Sequence, residues 1–102
     1  VNNKVRLYVS TTTTTVTFYS TNPLLQGRNK IACGYQSGNF VIYLNGVLEA
    51  TNSTAMTIPT CSNLTLEGSP YVNATSEIVN LNQVVLFPTR LLNSELASLT
   101  SL

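Results

Sequence analysis

Residues 29–50 read NKIACGYQSGNFVIYLNGVLEA, and this stretch decides the fold class. Ser37-Gly38 and Asn45-Gly46 each supply a two-residue turn in which glycine tolerates positive φ, and Asn-Gly is the strongest short hairpin signal in a sequence. The residues on both sides of each turn follow a period of two, as expected for strands. The stretch therefore predicts two consecutive β-hairpins.

The two turns also fix the register of these hairpins. With two-residue loops, Cys33 lies opposite Ile42 and Ile31 lies opposite Leu44. Residues on one face of a strand recur at every second position, so one face of the sheet carries the predicted core. Its members are Ile31, Cys33, Tyr35, Phe40, Ile42, Leu44 and Val47.

The opposite face of the same sheet is unusually apolar for a surface. It carries Ala32, Gly34, Val41, Tyr43, Leu48 and Ala50. A contiguous apolar face of this kind is normally covered. We expect part of it to lie against a neighbouring subunit, against an N-terminal part of the domain that precedes this sequence, or against a ligand.

Period-two stretches predict further strands along the chain. Residues 4–9 alternate apolar and polar side chains, and a threonine run, which favours extended backbone, leads into a second strand at about 14–20. Three more strands are predicted at about 56–58, 64–67 and 77–87. The last is apolar on both faces near its end, which is typical of a central position in a sheet.

The C-terminal residues 87–100 read FPTRLLNSELASLT and predict the one helix of the chain. Pro88 ends the preceding strand, and Asn93 is the predicted N-cap of a helix from Ser94 to about residue 100. Leu96 and Leu99 would share one face of this helix. We expect the helix to close one end of a sandwich of two sheets.

Three motifs resemble the concanavalin A-like (laminin-G-like) domains of bacteriophage tail fibres and other appendage proteins. They are KIA at 30–32 leading to Tyr35, FVIYLNG at 40–46, and FPTRL at 87–91 with NSEL at 93–96. The resemblance covers residues 29–100. It implies an all-β fold, an antiparallel jelly-roll-type β-sandwich with one short C-terminal helix. Because domains of this family are generally longer, residues 1–102 are expected to be a single β-sandwich domain at the C-terminal part of a longer chain.

The composition argues against several classes of partner. Only 9% of the residues are charged and the formal net charge is +1, so the chain as a whole has no electrostatic footprint for nucleic acid or anionic lipid. No apolar run approaches the ~20 residues that span a bilayer. We therefore expect no nucleic-acid partner and no membrane insertion.

Catalysis and metal binding find little support in the residue types. The chain has no His and no Asp, whereas common glycoside hydrolysis needs two carboxylates about 5–10 Å apart. Glu49 and Glu95 are interpreted as solvated ends of elements. Cys33 and Cys61 allow one disulfide or two thiols, and free buried thiols are favoured because disulfide frameworks usually use four or more cysteines. We therefore expect that the chain is not an enzyme and that it binds no metal and no cofactor.

Sugar binding needs an aromatic ring for stacking and amide or carboxylate groups for hydroxyls. Tyr71 and Asn73, in the loop 68–76, are the candidate ligand-binding residues, although Tyr71 is also consistent with an ordinary loop aromatic. Tyr19, Tyr35 and Tyr43 are expected in the core or in an interface.

The resemblance implies a non-catalytic module of a phage tail fibre or virion appendage that contributes to host-surface attachment by binding glycans. The apolar second face of the predicted three-stranded sheet and the low charge of the chain favour a homo-oligomer, most simply a trimer, on the surface of the virion. The main alternative is a purely structural module that decorates a capsid or trimerises a fibre. A bacterial adhesin, or a carbohydrate-binding module attached to an enzyme, is a third interpretation.

Overall fold

The structure, a computed structural model, describes residues 3–61 and 81–102. In this part of the chain it contains β1 (Lys4–Ser10), β2 (Thr15–Pro23), β3 (Ile31–Gly34), β4 (Phe40–Leu44), β5 (Val47–Asn52) and α1 (Asn93–Thr100). β1 and β2 form one antiparallel sheet, and β3, β4 and β5 form a second in that order. The mostly β architecture and the short C-terminal helix confirm the coarse fold prediction.

Turn chemistry sets the register of the three-stranded sheet as predicted. Asn45 and Gly46 have φ values of 52° and 86°, and two consecutive positive φ angles define the type I′ turn that joins strands tightly. At the other turn Gly38 has a φ of 73°, and the Asn39 N–H donates to the Gln36 carbonyl at 2.8 Å. The resulting pairs include Ile31 with Leu44 and Cys33 with Ile42, which confirms the predicted register.

The first hairpin, β1–β2, alternates as the sequence predicts. Its inward positions are apolar except for the buried Ser20, and Val16 is almost completely buried. The threonine run forms the connecting turn, in which the Thr11 hydroxyl accepts hydrogen bonds from the N–H groups of Thr13 and Thr14 at 3.3 and 3.0 Å. Such side-chain bonds replace ladder bonds at a turn.

The two sheets pack on each other through Val16, Phe40 and Met56. Three members of the predicted core face, Phe40, Ile42 and Leu44, are buried. For the rest of that face the prediction is wrong: Cys33 is only half-buried, and Ile31, Tyr35 and Val47 are exposed, Ile31 by 48%. These residues stay accessible because the two-stranded sheet packs on β4 and β5 and does not extend over the edge strand β3.

The opposite face of the three-stranded sheet is covered by α1. Val41, Tyr43 and Leu96 form a second buried cluster, and Leu91 packs against it. The chain's own helix thus covers the part of this face formed by Val41 and Tyr43, whereas Leu48 is 45% exposed. The helix lies on the sheet instead of closing one end of a sandwich, and β4 is consequently buried on both faces.

The helix start differs from the prediction by one residue. Leu92 is the N-cap and Asn93 is already helical. The Glu95 carboxylate accepts a hydrogen bond from the Leu92 N–H at 2.8 Å, which satisfies a donor that the helix leaves unpaired. Leu96 and Thr100 are buried against the sheet, and Leu99 lies at the border of that face and is exposed.

Glu49 forms the joint between the two sheets and is not the solvated end that its sequence position suggested. A bulge in β5 places Leu48 opposite Tyr43 and Ala50 opposite Ile42, which leaves Glu49 as the extra residue. The Glu49 carboxylate is buried and accepts hydrogen bonds from the backbone N–H of Asn22 at 2.6 Å and from its side-chain amide at 3.2 Å. The bulge also moves Ala50 to the face opposite the one predicted.

Two predicted strands are absent from the described residues. Residues 56–58 lack ladder pairing because the Met56 N–H donates to the Ser37 hydroxyl at 2.9 Å, which ties this segment to the turn before β4. Residues 81–87 are not a strand either, and Leu86 is 66% exposed where a central strand would bury it. The predicted strand 64–67 and residues 77–80 lie outside the described residues.

Removing the Glu49 carboxylate should loosen the joint between the sheets. We expect Glu49→Ala to lower the free energy of unfolding by about 2–3 kcal/mol, because the Asn22 N–H loses a charged acceptor in a site shielded from water. Urea unfolding measures the change. Glu95→Ala is the matched control, since Glu95 accepts the same kind of backbone bond at an exposed helix end. Equal losses in the two variants would contradict the account.

Candidate functional site

The outward face of the β1–β2 hairpin presents aromatic and hydroxyl groups together. Successive side chains of a strand point to opposite faces, so the positions that alternate with the inward Val16 and Phe18 face away from the second sheet. We call this surface the tyrosine face; it consists of Arg6, Tyr8, Thr15, Thr17 and Tyr19. Both tyrosines are substantially exposed, Tyr8 by 46% and Tyr19 by 37%.

Strand register places the members of the tyrosine face next to one another. Arg6 pairs directly with Tyr19, and Tyr8 pairs with Thr17. Tyr8 and Tyr19 are therefore diagonal neighbours, roughly 7–8 Å apart in a regular antiparallel pair. The Arg6 guanidinium carbon lies 5.4 Å from the centroid of the Tyr8 ring, within the range of a cation–π contact.

This combination of groups suits a ligand with both apolar and hydroxyl surfaces. Tyrosine rings offer flat apolar area with a polar tip, and they lose little conformational entropy when they bind. Threonine hydroxyls on the same face can donate and accept hydrogen bonds. A sugar ring has this mixed character, with C–H groups to stack on a ring and hydroxyls to pair.

The residues predicted for ligand binding, Tyr71 and Asn73, lie outside the described residues. The sequence predicts Tyr19, Tyr35 and Tyr43 in the core or in an interface. Tyr43 is buried, whereas Tyr19 and Tyr35 are exposed and so are not core residues. Their place in an interface stays a prediction. The signal for Tyr19 was present in the sequence. It follows Phe18 and precedes Ser20, and the strand period that buries Val16 and Ser20 turns Tyr19 outward.

Arg90 of the FPTRL motif connects three elements of the fold. Its side chain lies against Gly34 of β3, where a Cβ would be 2.6 Å from both Cζ and Nε of Arg90. It donates to the Leu91 carbonyl and to the side-chain oxygens of Asn39 and Asn93, the last two at 3.1 and 2.9 Å. One side chain thus joins the edge strand, the turn before β4 and the start of the helix.

A cavity of about 130 Å³ lies between β3 and residues 85–91. Cys33 lines it, and burial raises the pKa of the Cys33 thiol to about 11. The thiol is therefore neutral at physiological pH and a poor nucleophile. Cys33 and Cys61 are both free, and Cys61 is exposed, so its predicted burial is wrong.

The carboxylates of the described chain serve as structural acceptors. Glu49 binds the backbone of Asn22, and Glu95 binds the backbone of Leu92. No three His, Cys, Asp or Glu side chains come together within residues 3–61 and 81–102 to form a metal-binding group. In the same residues no helix has the length and apolar character needed to cross a bilayer.

Comparisons with protein-family models, with curated proteins and with solved structures find no match to this chain.

The two cysteines should differ sharply in reactivity. At pH 8 a thiol with a pKa near 11 is ionised in roughly one molecule in a thousand, and only the thiolate attacks alkylating reagents. We expect iodoacetamide to modify the exposed Cys61 of the folded chain and to modify Cys33 only after denaturation. Peptide mass spectrometry reads both sites. Equal rates of labelling in the folded chain would show that Cys33 is not held in a buried environment.

The contact between Arg90 and Gly34 can be isolated by a double-mutant cycle. Gly34→Ala should lower the free energy of unfolding by about 1–3 kcal/mol, because the new methyl displaces the guanidinium from its hydrogen bonds. With Arg90→Ala already present the same substitution should cost close to nothing, because the obstructing side chain is gone.

Gly27→Ala provides the control for this cycle. Gly27, unlike Gly34, has a positive φ, 93°, so Gly27→Ala carries a backbone cost of its own. No atom lies within 4 Å of the position that the new Cβ would take, so this cost should be the same with and without Arg90. Thermal or urea unfolding of the six proteins gives the coupling. Additive effects of Gly34→Ala and Arg90→Ala would overturn the assigned role of Arg90.

Proposed function

We propose that this chain is a non-catalytic module of a phage tail fibre or comparable virion appendage and that it contributes to host-surface attachment by binding glycans. The observation that carries the proposal is the tyrosine face, where two exposed rings, an arginine and threonine hydroxyls share one side of a hairpin. A face built in this way holds a sugar by stacking and by hydrogen bonds, without a reactive group.

We further propose that the chain forms part of a concanavalin A-like jelly-roll. Two features support this assignment. The antiparallel sheets pack face to face through Val16 and Phe40, as the sheets of a sandwich do. The FPTRL motif, which carries much of the sequence resemblance, holds the C-terminal helix and the edge strand together through Arg90.

The proposal that the module is non-catalytic is supported by the surroundings of its described carboxylates and of the Cys33 thiol. Glu49 and Glu95 are committed to backbone N–H groups, and the Cys33 thiol is neutral at physiological pH because burial raises its pKa. A general acid or base must be able to reach a substrate. Neither described carboxylate is arranged for that purpose.

An exposed apolar surface favours a second candidate function, that of a structural module. Leu86 and Leu99 are exposed, and Leu99 lines an open depression of about 450 Å³ together with Phe87 and Leu91. Apolar surface of this kind is commonly buried between subunits. A module of a trimeric fibre or a decorated capsid would use it whether or not it binds a receptor.

A glycan array probed with the folded chain tests the attachment function. We expect saturable binding to a restricted set of glycans, with competition by the same glycan in solution. Circular dichroism and thermal unfolding of the protein applied to the array establish that it is folded. Absence of binding by folded protein would reject attachment and leave the structural function.

Oligomerisation is tested by sedimentation velocity at micromolar concentration, where we expect a trimer. Leu99→Ser should weaken association by at least roughly tenfold, since burying a leucine contributes about 1.5–3 kcal/mol. Leu25→Ser is the matched control, because Leu25 is similarly exposed but lies in the loop after β2. A wild-type chain that sediments as a monomer would contradict the trimer.

A further inference from the structure

The charges of this chain are divided unevenly along the sequence. Residues 1–48 contain Lys4, Arg6, Arg28 and Lys30 and no acidic residue, while all four glutamates lie at or after position 49. The small net charge of +1 therefore hides a cationic N-terminal half. The tyrosine face belongs entirely to that half.

The fold keeps the described carboxylates away from the tyrosine face. Glu49 is buried against Asn22 between the two sheets. Glu95 lies on the helix, which packs on the far side of the three-stranded sheet. Among the described residues, the tyrosine face consequently presents a positive charge with no carboxylate beside it to neutralise it.

Arg6 is the cation at the centre of this face. Its side chain is exposed, it stands opposite Tyr19, and its guanidinium lies over the Tyr8 ring. Within the described residues the Arg6 guanidinium makes no hydrogen bond and no ion pair. Stacking on a ring orients the plane of a guanidinium while its N–H edge stays available, and that edge matches the two oxygens of a carboxylate.

We propose that the tyrosine face binds a saccharide that carries a carboxylate, a uronic or sialic acid residue, with Arg6 holding the carboxylate and the Tyr19 ring stacking against the sugar. The inference rests on the proposed glycan-binding function and deepens it, because it assigns both the location of the site and the charge of its ligand. Charge complementarity selects an acidic saccharide over a neutral one, and the exposed rings select a saccharide over a simple anion.

The experiment uses two pairs of probes that differ in charge. Trigalacturonate is compared with its fully methyl-esterified form, and sialyllactose with lactose, so that a uronic acid and a sialic acid each have a neutral partner. Binding to the 102-residue chain is followed by ¹H–¹⁵N NMR titration, which reports affinity and location together. Inorganic phosphate serves as the probe for attraction to any small anion.

Variants separate the site from general charge attraction. Arg6→Gln removes the central cation, and Arg28→Gln removes an equal charge from an exposed loop position. Tyr19→Ala removes the ring, whereas Tyr19→Phe retains it. Circular dichroism checks the fold of each variant.

We expect one of the acidic probes to bind with amide shifts on β1 and β2. Its neutral partner should bind at least roughly tenfold more weakly, because it cannot form the charge-assisted hydrogen bonds to Arg6. Arg6→Gln and Tyr19→Ala should each reduce the affinity of that probe about tenfold or more. Arg28→Gln and Tyr19→Phe should change it by less than about threefold.

Several outcomes would overturn the inference. Equal losses in Arg6→Gln and Arg28→Gln, phosphate binding as strong as saccharide binding, or shifts confined to other elements would each reject the site. If the wild-type chain binds a neutral glycan or binds elsewhere, this inference fails and the attachment function stands. If neither the array nor the titrations show any saccharide binding, the attachment function fails as well.

Discussion

The double burial of β4 is the constraint on which the rest of the structure depends. Its sequence, FVIYL, is apolar at every position, so neither face of the strand can be left to water without a large cost. The β1–β2 hairpin covers the side of Phe40, and the helix covers the side of Val41 and Tyr43. Within the described part of the chain, one strand thus contributes to two cores, one on each of its faces.

Each cover is attached to the central sheet by a polar joint. Glu49 holds the hairpin through Asn22, and Arg90 holds the helix start through Asn93. At the other end of the helix the Thr100 hydroxyl accepts a hydrogen bond from the Gly46 N–H at 3.1 Å, directly at the turn that begins β5. These joints fix orientation, which apolar packing alone leaves less well determined. Among the described residues, the second sheet packs on one side of the hairpin, and the tyrosine face lies on the opposite side.

Local chemistry accounts for what the sequence predicts well. The turns at Ser37-Gly38 and Asn45-Gly46 depend on backbone conformations that few residues other than glycine and asparagine adopt, so they specify strand register without knowledge of the fold. The outward position of Tyr19 follows from the same local period. Burial of Ile31 could not be judged in this way, since it depends on how far a distant hairpin extends across the sheet.

Long-range partners account for most of the errors. The bulge at Glu49 breaks the alternation of β5, and it is stabilised by Asn22, 27 positions away in sequence. Asn93 has the side chain of an N-cap, but Arg90 occupies its side-chain oxygen. Residues 81–87 have the composition of a central strand, yet strand formation also needs a partner edge. The bulge thus depends on a residue distant in sequence, whereas the shift of the helix start depends on Arg90, three positions before Asn93.

The burial of β4 from both sides is tested most directly by nuclear Overhauser effects between side chains in solution. The account predicts contacts from the Phe40 ring to the Val16 methyl groups and, in the same molecule, from the Tyr43 ring to the Leu96 methyl groups. A folded chain that shows the first set of contacts without the second would contradict it, because the helix would then not cover the second face of the sheet.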